Sequence, residues 1–304
     1  MCTAISLKLN KHYFGRTLDL EYHYNESVII TPRNFTFHFR YNKPINNHYL
    51  IFGIGIIENN YPLYYDACNE CGLSIAGLNL PHSTTYSSYV GNKVNITSFE
   101  LIPYILSNCT NIKETIDILN NCNITNDDFN LSLKSTKLHF LISDNNSSIV
   151  LEIIEKKIII YDNPFNVLTN EPTFNFHIEN INNYSHLFNN TKLNIISKSK
   201  GTNLINMPGD YSSVSRFIRM VYTKENIKLN ENNIGELFNI FNNVFEINGI
   251  SNTNNYKTLY LSLYNTNDLI LYYKTYQDFK INKIDIKSLD INSNKLISFI
   301  FSWN

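Results

Sequence analysis

Cys2 is the residue whose possible chemistry depends most on its place in the chain. Methionine aminopeptidase removes an initiator methionine when the second residue is small, so loss of Met1 is expected to leave cysteine first. Thiol and free α-amine would then share one residue. An α-amine has a pKa of about 7.7–8.0 and can act as base for its own side chain, directly or through one water. This predicts an N-terminal nucleophile, and a chance Met-Cys start is the ordinary alternative.

The segment 15–19 adds a cation and a carboxylate close to this residue in sequence, since Arg16 and Asp19 lie three positions apart. An arginine beside a thiol favours the thiolate and lowers its pKa. A carboxylate near the α-amine would hold and orient it. The ordinary alternative is a solvated ion pair worth less than about 1 kcal/mol.

The other four cysteines suggest no second site. Cys68 and Cys71 form a C-x-x-C pair, which is typical of metal and redox sites. A zinc site needs about four ligands, and no second such pair or spaced histidine pair follows. We therefore predict no metal and interpret the pair as small residues beside a turn. Cys109 is expected to pack near a helix end and Cys122 to lie in a polar loop.

The elements that must position these residues occur in clusters. Strands are predicted at 3–9, 27–31, 49–57, 73–80, 138–143, 148–154, 157–161, 258–264, 269–275 and 280–286. Helices are predicted from the capping-box pattern at Thr97, at 112–119, at 212–223 and at 234–245, whereas 170–203 is predicted to be irregular. Because strands and helices do not alternate, antiparallel sheets covered by helices fit better than a doubly wound parallel sheet. The absence of a linker or repeat predicts one domain.

Composition excludes several functional classes. The chain has 304 residues, of which 43% are hydrophobic and 17% charged, with a net charge of -1. This is enough apolar material for a substantial core. A neutral balance without a basic block argues against a partner that is nucleic acid or a membrane surface. No apolar stretch reaches the length of a membrane span, and the start lacks a signal-peptide pattern, so a cytoplasmic location is expected.

Several segments together resemble the choloylglycine hydrolase family, which includes bile salt hydrolases and penicillin V acylases. The match covers nearly the whole chain in register. It begins at Cys2-Thr3 and continues through FGRTLDLEY at 14–22, PRNF at 32–35, NECGLSIAGLNLP at 69–81, VLTNEPTF at 167–174, PGDYSSVSRFIR at 208–219 and YYKTY at 272–276. The resemblance implies an α+β fold, the four-layer αββα sandwich of N-terminal nucleophile hydrolases, formed by a single domain over residues 1–304 without a cofactor.

The resemblance also implies residue roles. Cys2 would be the nucleophile, Arg16 would lie beside its sulfur, and Asp19 would contact the new α-amine. The remaining roles concern the oxyanion and the surrounding polar network: Asn79 and Asn170 would line the oxyanion hole, and Arg216 would complete the network. Without the family, any single asparagine in this asparagine-rich chain would be interpreted as a solvated loop residue.

Within the family, the sequence favours the bile salt branch, because Asn79 stands where penicillin acylases tend to carry tyrosine. Asn79 would face the taurine or glycine side of the scissile amide. Leu18 and Tyr24 would form part of the apolar wall that contacts the steroid. The alternatives are a penicillin V acylase or other linear-amide acylase and a non-catalytic binding protein on the same scaffold. The resemblance further implies a homo-oligomer with four subunits as the candidate assembly.

Overall fold

The computed structural model describes residues 1–188, 206–251 and 255–302, and these contain sixteen strands. The strands β1 to β16 are, in chain order, Cys2–Lys8, His12–Leu20, Ser27–Thr31, Ile51–Glu58, Tyr61–Asn69, Ser74–Asn79, Val94–Thr97, Cys122–Thr125, Leu138–Ser143, Ser148–Ile154, Lys157–Asp162, Val167–Leu168, Lys257–Asn265, Ile270–Thr275, Asn282–Asp285 and Ile297–Ile300.

The helices of the described residues are fewer and short. Helices α1 to α6 are Leu101–Asn108, Ile112–Leu119, Phe174–Asn180, Ser185–Phe188, Ser213–Asn226 and Ile234–Asn239. A 3-10 turn, Ser98–Glu100, leads into α1, and there the main-chain N–H of Thr97 donates to Glu100 Oε2 at 3.3 Å, as the capping-box pattern predicts. Within the described residues, no helix combines the length and apolar character needed to cross a membrane.

Two antiparallel sheets form the centre of the molecule. One has six strands in the order β12-β1-β2-β13-β14-β15, and the other has eight in the order β11-β10-β9-β6-β5-β4-β3-β16. A separate parallel pair joins β7 to β8. Strands β1 and β2 form a hairpin at the centre of the six-stranded sheet, with β13 on the far side of β2. The two strands that carry Cys2 and Arg16 are therefore held by neighbours on both sides.

The alternation of side chains along the eight-stranded sheet separates two apolar layers. In β3, Val28 and Ile30 join the core that includes the six-stranded sheet, whereas Ile29 joins a second core with α1 and α2. This is expected because successive residues of a strand face opposite sides. Helices α5 and α6 contribute to the first core, so helices cover both sheets. The four-layer αββα sandwich implied by the family resemblance is confirmed.

The structure corrects several local predictions. Strands β2, β5, β7, β12 and β16 were missed, and β2 carries both Arg16 and Asp19. Cys122 begins buried strand β8 instead of lying in a loop. Helix α6 ends at Asn239, six residues before the predicted end. The segment 170–203 contains α3 and α4, while its part from 189 onward lies outside the described residues.

Candidate active site

The β1–β2 hairpin brings Cys2, Arg16 and Leu18 to one face of the six-stranded sheet. Cys2 pairs with Leu18 and Ala4 with Arg16, and directly opposed residues of an antiparallel pair share a face. All three side chains line one cavity. Asp19 is one position out of phase and lies on the opposite face. One hairpin therefore places a thiol and a guanidinium in the cavity and a carboxylate behind it.

Two distant side chains hold the main chain of Cys2. Its N–H donates to Asn170 Oδ1, and its carbonyl oxygen accepts from Arg216 Nη1. Arg216 also donates from Nη2 to Asn170 Oδ1 at 3.0 Å and from Nη1 to Thr3 Oγ1 at 2.7 Å. Asn170 Nδ2 in turn donates to the carbonyl oxygen of Asn79 at 2.9 Å. The structure thus joins four of the residues named from the sequence in one hydrogen-bond network.

The Arg16 side chain is fully buried and only partly paired. Nη1 donates to the carbonyl oxygens of Gly77 at 2.7 Å and Tyr65 at 3.1 Å, and Nε lies 3.9 Å from Asp66 Oδ1. Nη2 has no hydrogen-bond partner among the described residues. Burial alone would lower the pKa of Arg16, but the negative charges of Cys2 and Asp66 contribute to a net rise. Arg16 therefore stays charged and keeps a donor unused in the cavity wall.

Asp19 lies beside the chain terminus. Met1 is present in this structure, and its amine donates to the main-chain oxygen of Asp19 at 3.1 Å. The carboxylate accepts from Thr258 Oγ1 at 2.7 Å and Thr17 Oγ1 at 3.3 Å. Burial raises the pKa of Asp19, and the terminal amine and Arg216 partly offset that rise. Asp19 is therefore placed to act on a terminal amine mainly by its charge.

The cavity has a volume of about 470 Å³ and a largely apolar wall, within the size range of small-molecule sites. Asn79 lies at its edge, and its side-chain amide has no hydrogen-bond partner within the described part of the chain. Leu18 and Tyr24 are in the wall, as predicted from the sequence. The wall also includes residues that sequence reasoning missed, on β4, at the start of α1 and in the loop before β9: Ile56, Phe99, Ile102, Phe129, Leu133 and Lys134.

The remaining cysteines are not assembled into a site. Cys68 is buried, with its sulfur 2.9 Å from Ser74 Oγ, whereas Cys71 is exposed. Cys109 and Cys122 are buried in the core beside α1 and α2. Among the residues the structure describes, no group of three or more His, Cys, Asp and Glu side chains could hold a metal ion.

His177 supports the segment that carries Asn170, and its titration gives a testable prediction. Its Nε2–H donates to the carbonyl oxygen of Asn170 at 2.9 Å, and burial lowers its pKa from 6.5 to about 4. The folded state thus favours neutral His177, so its contribution is present above pH 6.5 and is lost as pH falls toward 4. That pKa difference corresponds to about 3 kcal/mol of unfolding free energy.

We expect the free energy of unfolding of the wild type, measured with urea, to fall between about pH 6.5 and pH 4. In the variant His177→Gln this fall should be smaller. Gln retains an amide donor but does not titrate in this range. Exposed His38 serves as the matched control position, and His38→Gln should keep the wild-type slope. An unchanged pH dependence in His177→Gln would show that other groups cause the loss.

The fold and the site together define an amide hydrolase with an N-terminal nucleophile architecture. The sequence model of the family described as "Linear amide C-N hydrolases, choloylglycine hydrolase family" matches residues 2–299. The chain belongs to this family, as the resemblance indicated, and is therefore a hydrolase of linear amide bonds.

Curated relatives and solved structures are similar over almost the whole chain. The chain is 38% identical to the "Bile salt hydrolase/transferase" of Lactiplantibacillus plantarum, covering 98% of this chain and 96% of the relative, and 34% identical to that of Clostridium perfringens, covering 99% and 97%. The crystal structure of the C2A variant of the Clostridium perfringens conjugated bile acid hydrolase matches with a TM-score of 0.91 at 34% identity, over 99% and 97%. The penicillin V acylase of Agrobacterium tumefaciens, at 20% identity, TM-score 0.76 and coverage of 98% and 90%, shares the fold.

Proposed function

We propose that this protein hydrolyses the amide bond of bile acids conjugated to glycine or taurine, with Cys2 as nucleophile after removal of Met1. The observation that carries the proposal is the position of Cys2, which lines an apolar cavity while Asn170 and Arg216 hold its main chain. The names of the relatives from Lactiplantibacillus plantarum and Clostridium perfringens support the substrate class. Loss of Met1 would turn the clamped main-chain nitrogen of Cys2 into the catalytic α-amine.

The first half of the reaction forms an acyl-enzyme. The thiolate of Cys2 attacks the amide carbon, a C–S bond forms, and the carbonyl electron pair moves onto oxygen. The side-chain amide of Asn79, which lines the cavity, and a hydrogen of Asn170 Nδ2 would stabilise this oxyanion, and each such donor is worth about 2.7–4 kcal/mol. Collapse of the intermediate breaks the C–N bond. The α-ammonium gives its proton to the leaving nitrogen, so glycine or taurine departs with a neutral amine.

The second half releases the bile acid. The α-amine, now neutral, takes a proton from water as the water oxygen attacks the thioester carbon. The C–S bond breaks, the thiolate of Cys2 is restored, and the α-ammonium is regenerated. In this structure the charges of Asp19 and Arg216 act on the amine of Met1. After removal of Met1, the negative charge of Asp19 would attract the α-ammonium of Cys2, while Arg216 would hold Cys2 through its carbonyl oxygen. Arg16 on the cavity side favours the thiolate.

The steroid would occupy the apolar part of the cavity. Leu18 and Tyr24 belong to this wall, and Tyr24 is half exposed. Each Å² of apolar surface buried contributes about 25 cal/mol, so a rigid steroid that covers several wall residues gains a large part of its binding free energy there. Asn79 would then lie on the amino acid side of the scissile amide.

The test is release of free glycine or taurine from a panel of conjugated bile salts by protein whose mass shows loss of Met1. We expect turnover of conjugated bile salts to exceed turnover of penicillin V. Preferential cleavage of penicillin V or of another linear amide would replace the bile salt proposal with the acylase alternative. Absence of turnover on every N-acyl substrate would favour a binding protein on this scaffold.

The domain, assembly and location are part of the same proposal. We propose one N-terminal nucleophile hydrolase domain over the whole chain, acting as a homo-oligomer, with a tetramer as the assembly implied by the family. Light scattering on the purified protein would measure the subunit number. All five cysteines are free, which fits a reducing compartment and supports the cytoplasm as the place of action.

A further inference from the structure

Glu246 is a buried carboxylate to which the mechanism above assigns no role. It lies between α6 and β13 and has no exposed surface. Neither Oε1 nor Oε2 has a hydrogen-bond partner among the described residues. Burying a carboxylate without a partner is costly, so such a group needs a compensating charge nearby or a function.

Hydrogen bonds through Thr258 place Glu246 next to the carboxylate already assigned to the terminal amine. The N–H of Glu246 donates to Thr258 Oγ1 at 2.8 Å, and the N–H of Thr258 donates to the carbonyl oxygen of Glu246 at 3.0 Å. The same Thr258 hydroxyl donates to Asp19 Oδ1 at 2.7 Å. Thr258 therefore joins the two acidic residues, and both lie behind the β1–β2 hairpin.

The charged groups that face Glu246 come from three elements. Asp19 on β2 repels its carboxylate, while the amine of Met1 and Arg216 on α5 attract it. Burial, followed by the repulsion from Asp19, raises the pKa of Glu246. Conversely, burial lowers the pKa of the Met1 amine, and the charges of Cys2, Asp19 and Glu246 oppose that fall. Removal of Met1 moves the terminal amine to the nitrogen of Cys2, one residue further along the chain.

The charges in this cluster no longer balance without Glu246 once the thiolate of Cys2 has attacked and its negative charge has moved to the oxyanion. At that stage the amine and Arg216 supply two positive charges, and Asp19 supplies one negative charge. Without a second anion, a net positive charge would remain in a region sealed from water, which would favour loss of the amine proton. Glu246 provides that second anion.

We propose that Glu246 is a positioning residue whose carboxylate keeps the α-ammonium of Cys2 protonated until it donates its proton to the leaving nitrogen. The inference rests on the proposed use of Cys2 as an N-terminal nucleophile. After the thiolate of Cys2 has attacked, Asp19 is balanced by Arg216, so the amine then depends on Glu246 for its own counter-charge. The charge of Glu246, rather than a contact with substrate, is what this role requires.

The test measures the amine itself. Protein labelled with [15N]cysteine and shown by mass to lack Met1 has one amine nitrogen, whose resonance lies apart from the amide nitrogens of the other four cysteines. We expect Glu246→Gln to lower the titration midpoint of this amine by about one pH unit, while Glu246→Asp, which retains the charge, stays close to wild type. Exposed Glu225 provides the control, and Glu225→Gln should leave the midpoint unchanged.

The pH dependence of kcat/KM on a cleaved amide gives a second measurement. Because the competent form carries a protonated amine, a lower amine pKa moves the alkaline limb of Glu246→Gln to lower pH by the same amount. An amine midpoint in Glu246→Gln identical to wild type overturns the inference. If Glu246→Gln does not fold, the midpoint of Glu246→Val decides by the same criterion. The titration needs no substrate. A failure to cleave bile salts would therefore reject the proposed function, while the titration midpoint of the amine would still test the role of Glu246.

Discussion

Replacing Cys2 with alanine is expected to abolish turnover, with kcat reduced by at least about 10⁴-fold, while the fold is preserved. The reason is that the nucleophilic sulfur is lost but every hydrogen bond described for this residue involves its main chain. Asn170 accepts from the N–H and Arg216 donates to the carbonyl oxygen, and alanine keeps both groups. Product release measures the first expectation, and the urea unfolding midpoint measures the second.

The comparison requires equal processing of all variants. Alanine and serine are small, so Met1 is expected to be removed from Cys2→Ala and Cys2→Ser as from wild type, and mass spectrometry checks this. Cys2→Ser should retain only weak activity because a serine hydroxyl does not ionise near pH 7. Exposed Cys71 is the matched control, and Cys71→Ala should be fully active. Turnover by Cys2→Ala at the wild-type rate would refute the nucleophile assignment.

The residues predicted from position and charge lie close together in sequence. Cys2, Arg16 and Asp19 belong to one hairpin, so their proximity requires only a local turn and the pairing of two strands. Asn170 and Arg216 lie far from this hairpin in the sequence, and the fold brings them into the hydrogen-bond network around Cys2. Chain composition carries no signal for such long-range contacts, and in an asparagine-rich sequence no single asparagine is distinctive. Only the family resemblance pointed to these residues.

The missed elements have a physical explanation. Strand β2 is buried on both faces and carries polar residues on both, with Arg16 on one face and Asp19 on the other, so it shows no alternation of apolar and polar residues. The prediction of the cavity wall was also incomplete, because Phe129, Leu133 and Lys134 lie on an irregular loop before β9. Sequence periodicity describes regular elements and gives no information on which loop closes over a cavity.

Asp66→Ala is expected to lower the free energy of unfolding by about 3–5 kcal/mol, because it removes a buried counter-charge of the Arg16 guanidinium. Asp66 has no exposed surface, and its Oδ1 lies 3.9 Å from Arg16 Nε. Its carboxylate accepts from the hydroxyls of Tyr260, of Ser262 at 2.8 Å and of Tyr264 at 2.6 Å. Removing the carboxylate therefore also leaves the buried hydroxyls of Tyr260 and Ser262 unpaired, whereas Tyr264 keeps the main-chain oxygen of residue 66 at 3.2 Å. Urea unfolding at pH 7 measures the loss.

Two further variants separate charge from packing. Asp66→Asn keeps the size and one acceptor oxygen, so it should destabilise less than Asp66→Ala. Exposed Asp117 on α2 is the control, and Asp117→Ala should stay within about 0.5 kcal/mol of wild type. A wild-type midpoint for Asp66→Ala would show that the guanidinium does not depend on this carboxylate.

The double variant Asp66→Ala with Arg16→Leu distinguishes an ion pair from two independent losses. Removing Arg16 also removes the charge that Asp66→Ala leaves uncompensated, so the double loss should be smaller than the sum of the single losses. Additive losses would mean that the hydroxyl contacts of Asp66 dominate. If the losses are coupled, Asp66 holds Arg16 in the cavity wall without itself contacting the substrate. Because Arg16 is the residue proposed to favour the Cys2 thiolate, the single variant Asp66→Asn should then reduce kcat more than it raises KM.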